Sequence, residues 1–254
     1  MNEHQYLGID VGGTGIKAAL VDTTNGVLLT EKHRELTPQP SEPKVIAKLI
    51  DNIVKKFQYE GPIGCGFPSI IHHGVAKSAA NIDKKWINVN IEKILQKTSG
   101  HRYYAVNDAD AAGLAEVAFG HGKGLLGTVI VLTIGTGIGS GMFYDGKLVP
   151  NTEFGHLFYK DSVFEKYISN NARKKEDLSW EAWGKRFNSY LVHLEKLFSP
   201  DLIVLGGGAS KKFDRYQEFL DLDTKVIPAK YQNDAGVLGA AMYAEERASH
   251  FLHG

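Results

Sequence analysis

The sequence predicts an α/β fold built from two similar halves, and three observations carry that prediction. Residues 6–22 read as an apolar strand, a Gly12-Gly13-Thr14 turn and a second apolar strand. Residues 127–143 repeat the plan, with Gly135-Thr136-Gly137 at the turn. Two further apolar runs end in stretches suited to ligand contact: residues 103–106 run into Asn107-Asp108, and 202–205 into Gly206-Gly207-Gly208. Open α/β sheets place ligand and catalytic groups at such carboxyl ends of strands.

Composition narrows the function classes. Lys plus Arg and Asp plus Glu both number 29, so the net charge is zero and no global field recruits nucleic acid or a membrane surface. At 28 residues glycine is abundant, against an average usage of about 7%, and it clusters after apolar runs as in phosphate loops. The single cysteine, Cys65, excludes an intrachain disulfide and a multi-cysteine zinc site, and reads as core packing. No basic-apolar leader is visible and no apolar run nears the ~20 residues that span a bilayer, so a soluble cytoplasmic protein is expected.

Taken in order, the first turn differs from a Walker loop, because no Gly-Lys-Ser/Thr and no helix follow it. It offers bare backbone N–H groups and the Thr14 hydroxyl to an anion, with Asp10 placed to hold magnesium through water. Asn25-Gly26 signals a hairpin into a third strand at 27–30. Beyond the proline-rich stretch 38–43, Val45, Ile46, Leu49, Ile50, Ile53, Val54 and Phe57 repeat at helical spacing. Residues 63–69 read as a buried strand and its turn. Ser78 and Asn81 then carry groups that hydrogen-bond a polyol, and Trp86 is either a sugar-stacking ring or core.

Residues 107–116 open a helix, where Asp108 or Asp110 serves as N-cap or as a functional carboxylate. Asp145-Gly146 signals another hairpin. Glu153-Phe154-Gly155-His156 sets a carboxylate and an imidazole three apart, as a surface turn or a ligand pair. The helix before 199 turns Phe187, Tyr190, Leu191 and Leu194 inward. Residues 236–244 form a small-residue helix able to pack close to another element.

Asp-x-Gly-Gly-Thr, Asn-Asp-Ala-x-Ala-Ala, Gly-Thr-Gly-x-Gly, Glu-x-Gly-His and a late Gly-Gly-Gly, in this order, resemble the ROK family of sugar kinases, and within it the polyphosphate glucokinases. Residues 107–116, Leu178-Ser179-Trp180-Glu181-x-Trp183 and 197–201 carry the closer likeness. The resemblance implies two ribonuclease-H-like lobes of the actin/hexokinase superfamily around a cleft. The lobes are expected at 1–115 and 116–254, with the last helix free to pack back on the first. No cysteine occurs in 157–165, where many family members carry a zinc motif, so no structural zinc is expected.

By the same resemblance Asp108 is the base that takes the proton of the glucose 6-hydroxyl. Asn107, Glu153, His156 and Glu165 would bind the sugar, and the Asn81 amide, by its own chemistry, would join them. Asp10, Gly12, Gly13, Thr14 and Lys17 would form one phosphate loop and Gly135, Thr136 and Gly137 the other. Gly206, Gly207 and Gly208 would face the distal part of the donor, Asp10 would hold Mg2+, and a homodimer is implied. The expected donor is polyphosphate, ATP or both. An ATP-only kinase for another hexose or an N-acetyl amino sugar, and a sugar sensor without turnover, are the competing readings. A neutral chain draws a polyanion only through a local basic track, for which Lys17, Lys123 and Lys211-Lys212 are candidates.

Overall fold

The computed structural model describes residues 4–252. The chain forms two compact units: one runs to Ala115 and resumes at Asp234, and the other is Glu116–Asn233.

The first unit begins with β1 (Gln5–Val11) and β2 (Gly15–Asp22), antiparallel about the first glycine turn. The expected third strand is cut to β3 (Val27–Leu28), and β4 (His33–Leu36), which the sequence did not announce, also pairs with β2. Then come α1 (Pro43–Phe57), β5 (Ile63–Phe67), the small hairpin of β6 (Ile71–His72) and β7 (Val75–Ala76), and α2 (Ile91–Ser99). β8 (Tyr103–Asn107) leads into α3 (Asp108–Phe119). Among the described residues the main sheet has six strands, ordered β3-β2-β1-β5-β8, with β4 also on β2 and with β1, β5 and β8 parallel. The apolar stripe of α1, Ile46, Ile50, Ile53 and Val54, is buried with Leu7, Ile9 and Phe67, each such side chain contributing about 1.5–3 kcal/mol.

Trp86 belongs to that core. It is fully buried, its ring 4.6 Å from Phe67 and its Nε1–H donated to Ser41 O at 2.9 Å, which removes the sugar-stacking alternative. Ser78 is also committed, its hydroxyl accepting from the Ile70 N–H at 2.9 Å.

The second unit repeats the scheme. β9 (Thr128–Ile134) and β10 (Ile138–Tyr144) are antiparallel about the second glycine turn. β11 (Lys147–Val149) follows Asp145-Gly146, both at positive φ (49° and 77°), the left-handed pair that a two-residue hairpin needs. Next are β12 (Phe158–Tyr159), β13 (Ser162–Val163), α4 (Glu165–Ile168), α5 (Asn170–Lys175) and α6 (Trp180–Phe198). β14 (Leu202–Gly206), α7 (Gly207–Ser210) and β15 (Lys225–Pro228) complete it. The order β11-β10-β9-β14-β15 matches that of the first sheet, and β9, β14 and β15 are parallel. Trp183, Phe187, Tyr190 and Leu194 of α6 form the core with Ile130, Leu132 and Ile203.

The chain from Asp234 groups with the first unit, the packing back that the sequence left open for the last helix. Its helix α8 (Ala235–Leu252) lies against β1 and β5 through glycines. A Cβ on Gly8 would stand 2.0 Å from Val237 O, and one on Gly64 only 1.7 Å from Ala240 O. A small-residue helix meets strands that lack side chains at the contact.

Candidate active site

In the first unit, antiparallel register sets Asp10 on β1 opposite Lys17 on β2, and Lys17 Nζ donates to Asp10 Oδ2 at 2.9 Å. Gly12 N–H closes the turn on Gly15 O at 3.0 Å. Thr37 Oγ1 donates to Gly12 O at 2.6 Å and Gln39 Nε2 to Gly13 O at 3.3 Å, so outside residues fix the turn through its carbonyls. Among the described residues the Gly13 and Thr14 N–H groups have no acceptor, leaving two donors for an anion. Asn81 sits over this turn: a Cβ on Gly13 would be 2.7 Å from its carbonyl oxygen.

Asp10 Oδ1 accepts from no described residue. One available carboxylate oxygen beside free backbone donors fits Mg2+, which is commonly held by one or two carboxylates, substrate phosphates and water. No described cluster of three or more His, Cys, Asp or Glu could hold a metal by itself.

At the end of β8 the cap is Asn107 rather than Asp108 or Asp110. Its Oδ1 accepts from Ala109 N at 2.8 Å and Asp110 N at 3.1 Å, while Nδ2 donates to Ser69 O at 3.1 Å. Asn107 can do this because it is the last residue of the strand, extended where the first helical N–H groups face back. Asp108 shares only the Ala109 N–H with that cap. Asp108 is half-buried on the first helical residue, with Oδ1 accepting from Ala109 N at 2.9 Å.

The second unit brings a carboxylate–imidazole pair onto the other glycine turn. His156 Nδ1 and Glu153 Oε2 are 3.1 Å apart. Burial, with the nearby Glu165 charge adding to it, raises the Glu153 carboxyl above the ordinary glutamate range, and His156 pulls the other way. Three hydrogen bonds fix the approach of this segment: Ser140 Oγ accepts from Phe154 N at 2.9 Å and donates to Thr152 O at 2.5 Å, and Thr152 Oγ1 donates to Ser140 O at 3.1 Å. Glu165 is held under the turn, Oε2 accepting from Ile138 N at 2.8 Å and lying 2.5 Å from where a Gly137 Cβ would be. Any larger residue at Gly137 would displace that carboxylate. The turn closes by Gly135 N–H to Gly137 O at 2.9 Å, and among the described residues the Thr136 and Gly137 N–H groups have no acceptor.

Gly207, at φ 76°, presses on the end of β9, where its Cβ would be 2.5 Å from Ile134 O. Gly207 and Gly208 are exposed. Lys123, Lys211 and Lys212 are exposed too, Lys123 in the loop that curls back on the end of α3. Two residues that the sequence reading missed stand near the triple glycine, Asn170 beside it and Arg173 behind Asn170. Asn170 Nδ2 is 3.9 Å from the Cβ position of Gly208, and Arg173 Nε donates to Asn170 Oδ1 at 3.2 Å. Only the basic run at 173–175 hinted at them.

Comparison with known proteins gives a consistent likeness. The profile of the ROK family matches residues 6–165. Polyphosphate glucokinase from Mycobacterium tuberculosis is 43% identical over 244 residues, covering 96% of this chain and 92% of that protein. Among solved structures, the inorganic polyphosphate/ATP-glucomannokinase from Arthrobacter sp. strain KM superposes with a TM-score of 0.90 at 44% identity, covering 96% of this chain and 99% of that one. A ROK family glucokinase from Streptomyces griseus, solved with glucose and AMPPNP, has a TM-score of 0.82 at 23% identity over 95% and 99% of the two chains, a likeness of fold.

Proposed function

The chain belongs to the ROK family, and on that premise we propose that it transfers a phosphoryl group from inorganic polyphosphate or ATP to the 6-hydroxyl of glucose. The observation that carries this reading is the second-unit constellation, in which the Glu153–His156 pair and Glu165 adjoin a turn with unused backbone donors. Those are the groups a kinase needs for a polyol and for a phosphate, and the relatives make the polyol glucose and the donor polyphosphate or ATP.

Phosphoryl transfer asks a protein for positioning and for neutralisation of charge. Glu153, His156 and Glu165 accept from and donate to sugar hydroxyls, with Asn107 and Asn81 adding amide contacts. Asp108 takes the proton of the attacking hydroxyl, whose high pKa otherwise leaves it a poor nucleophile. The N–H groups of Gly13, Thr14, Thr136 and Gly137 receive the phosphate oxygens. Asp10 would hold Mg2+, which when bound offsets the charge of the donor phosphates. Lys17 sets the orientation of the Asp10 carboxylate. Cytoplasmic action as a homodimer belongs to the same reading, and no described helix is long and apolar enough to cross a membrane.

A coupled assay of glucose 6-phosphate formation tests it, with magnesium and each donor in turn. Turnover is expected with both donors. Asp108→Asn should then lower kcat at least a hundredfold, general-base catalysis contributing roughly 10²–10⁴, while glucose affinity stays within a few-fold. A variant enzyme that kept a tenth of the parent kcat would remove Asp108 from this role.

A further inference from the structure

Within the second unit the contacts run in a line. His156 meets Glu153, and Glu165 carries the Gly135–Gly137 turn. The strand ending at that turn supports Gly207, and Gly208 adjoins Asn170, which accepts from Arg173. With the sugar at one end and the transferred phosphate at the turn, Asn170 and Arg173 stand at the far, donor end.

Arg173 is stiffened on three sides. Its Nε donates to Asn170 Oδ1, its Nη1 donates to Leu178 O at 3.0 Å, and its guanidinium lies 4.2 Å from the Trp180 ring centroid. Among the described residues its Nη2 has no acceptor, and neither has Asn170 Nδ2. Trp180 is also stacked on Tyr216, at 5.8 Å and 21°, and meets Trp183 edge-on at 5.6 Å, so its ring is engaged by neighbours within this unit. What the end offers is cations: Lys174 and Lys175, exposed at the close of α5, and Lys211 and Lys212, exposed after the triple glycine.

We propose that Asn170, Arg173, Lys174 and Lys175, with Lys211 and Lys212, bind the phosphates of a polyphosphate chain that extend past the three ATP carries, and so set a preference for polyphosphate over ATP. The inference rests on the polyphosphate-donor reading above. A guanidinium held by stacking presents its donors to phosphate at little entropic cost, and the lysines extend the contact to a chain that ATP lacks.

The test compares the parent with Arg173→Gln and with a Lys174→Ala, Lys175→Ala double variant. The double variant removes exposed side chains and so leaves the core untouched, which guards against misfolding of the Arg173 variant. Both should lower kcat/KM for long-chain polyphosphate at least tenfold and for ATP no more than threefold, with glucose KM within twofold. The plot of log KM for polyphosphate against log salt should become shallower in the double variant, by up to about two, since each lost phosphate contact releases about one fewer counterion in polyanion binding. Equal losses with both donors, or an unchanged slope, would overturn the inference while leaving the kinase reading intact. A parent without activity on polyphosphate would overturn the donor reading and this inference together.

Discussion

If Glu153 binds the sugar as proposed, folding and ligand binding ask it for opposite protonation states. Burial raises its carboxyl, so ionising it costs stability in the folded chain. A raised folded-state pKa means that its favourable contribution is complete below the ordinary glutamate value and is lost as pH rises through the folded value. Glu153→Gln keeps an acceptor for His156 and has no charge to desolvate. This variant should melt at a higher temperature than the parent at pH 7, with the difference shrinking below the ordinary glutamate range, as thermal unfolding across pH would register. It should also bind glucose more weakly by about 1.5–3 kcal/mol, the worth of hydrogen bonds to a charged group. In the parent, glucose KM should climb on acidification at a higher pH than an ordinary glutamate would dictate, and the substitution should flatten that rise. A variant that is less stable at neutral pH would contradict the electrostatic account.

At the scale of elements, the decisive contact of the first unit is α8 on β1 and β5, made through strand positions without side chains. Gly64 and Gly66 lie on the same buried strand and look equivalent by sequence. A Cβ on Gly64 would sit 1.7 Å from the Ala240 carbonyl oxygen, whereas one on Gly66 would find its nearest neighbour at 3.5 Å, an ordinary contact. Backbone cannot rotate away as a side chain can, so Gly64→Ala must push helix and strand apart. It should cost at least the ~1–3 kcal/mol of core overpacking, while Gly66→Ala should cost under about 1 kcal/mol. Chemical denaturation of the two variants separates them, and equal midpoints would mean that the helix has room to retreat. The same helix places Gly236 beside Asp10, where a Cβ would be 2.8 Å from its carboxyl carbon, so its seating bears on the carboxylate beside the first glycine turn as well as on the core.

For the molecule as a whole, equal numbers of acidic and basic residues leave no net field to gather a polyanionic donor. Attraction must come from local cations, whose reach falls to about 8 Å at physiological salt. The KM for polyphosphate should therefore rise steeply between low and moderate salt, while the KM for glucose, an uncharged ligand, should hardly move. Initial rates over a salt series measure both, and parallel changes would point to a general effect on the enzyme instead.

Much of the architecture was legible in the order of residues. Alternation and glycine turns announced β1–β2 and β9–β10, and apolar runs ending in Asn107-Asp108 and Gly206-Gly207-Gly208 announced β8 and β14, because strand propensity and turn geometry depend on neighbours along the chain. The roles expected of Asp10, Asp108 and Glu153-x-Gly-His came from their place at those strand ends and from the family resemblance, and they stay proposals. What the tertiary structure alone decided is which partner each group meets. Asn107 became the cap through a β8 end fixed by Ser69, 38 residues away. Trp86 went to the core, Glu165 was drawn under Ile138, Asn170 reached Gly208, and the last helix returned to the first sheet. The sequence left the last helix free to pack back and Trp86 free to be core, but it could not choose the partners, since each contact depends on packing between segments distant in the chain, where fit and backbone clearance rather than local propensity set the outcome.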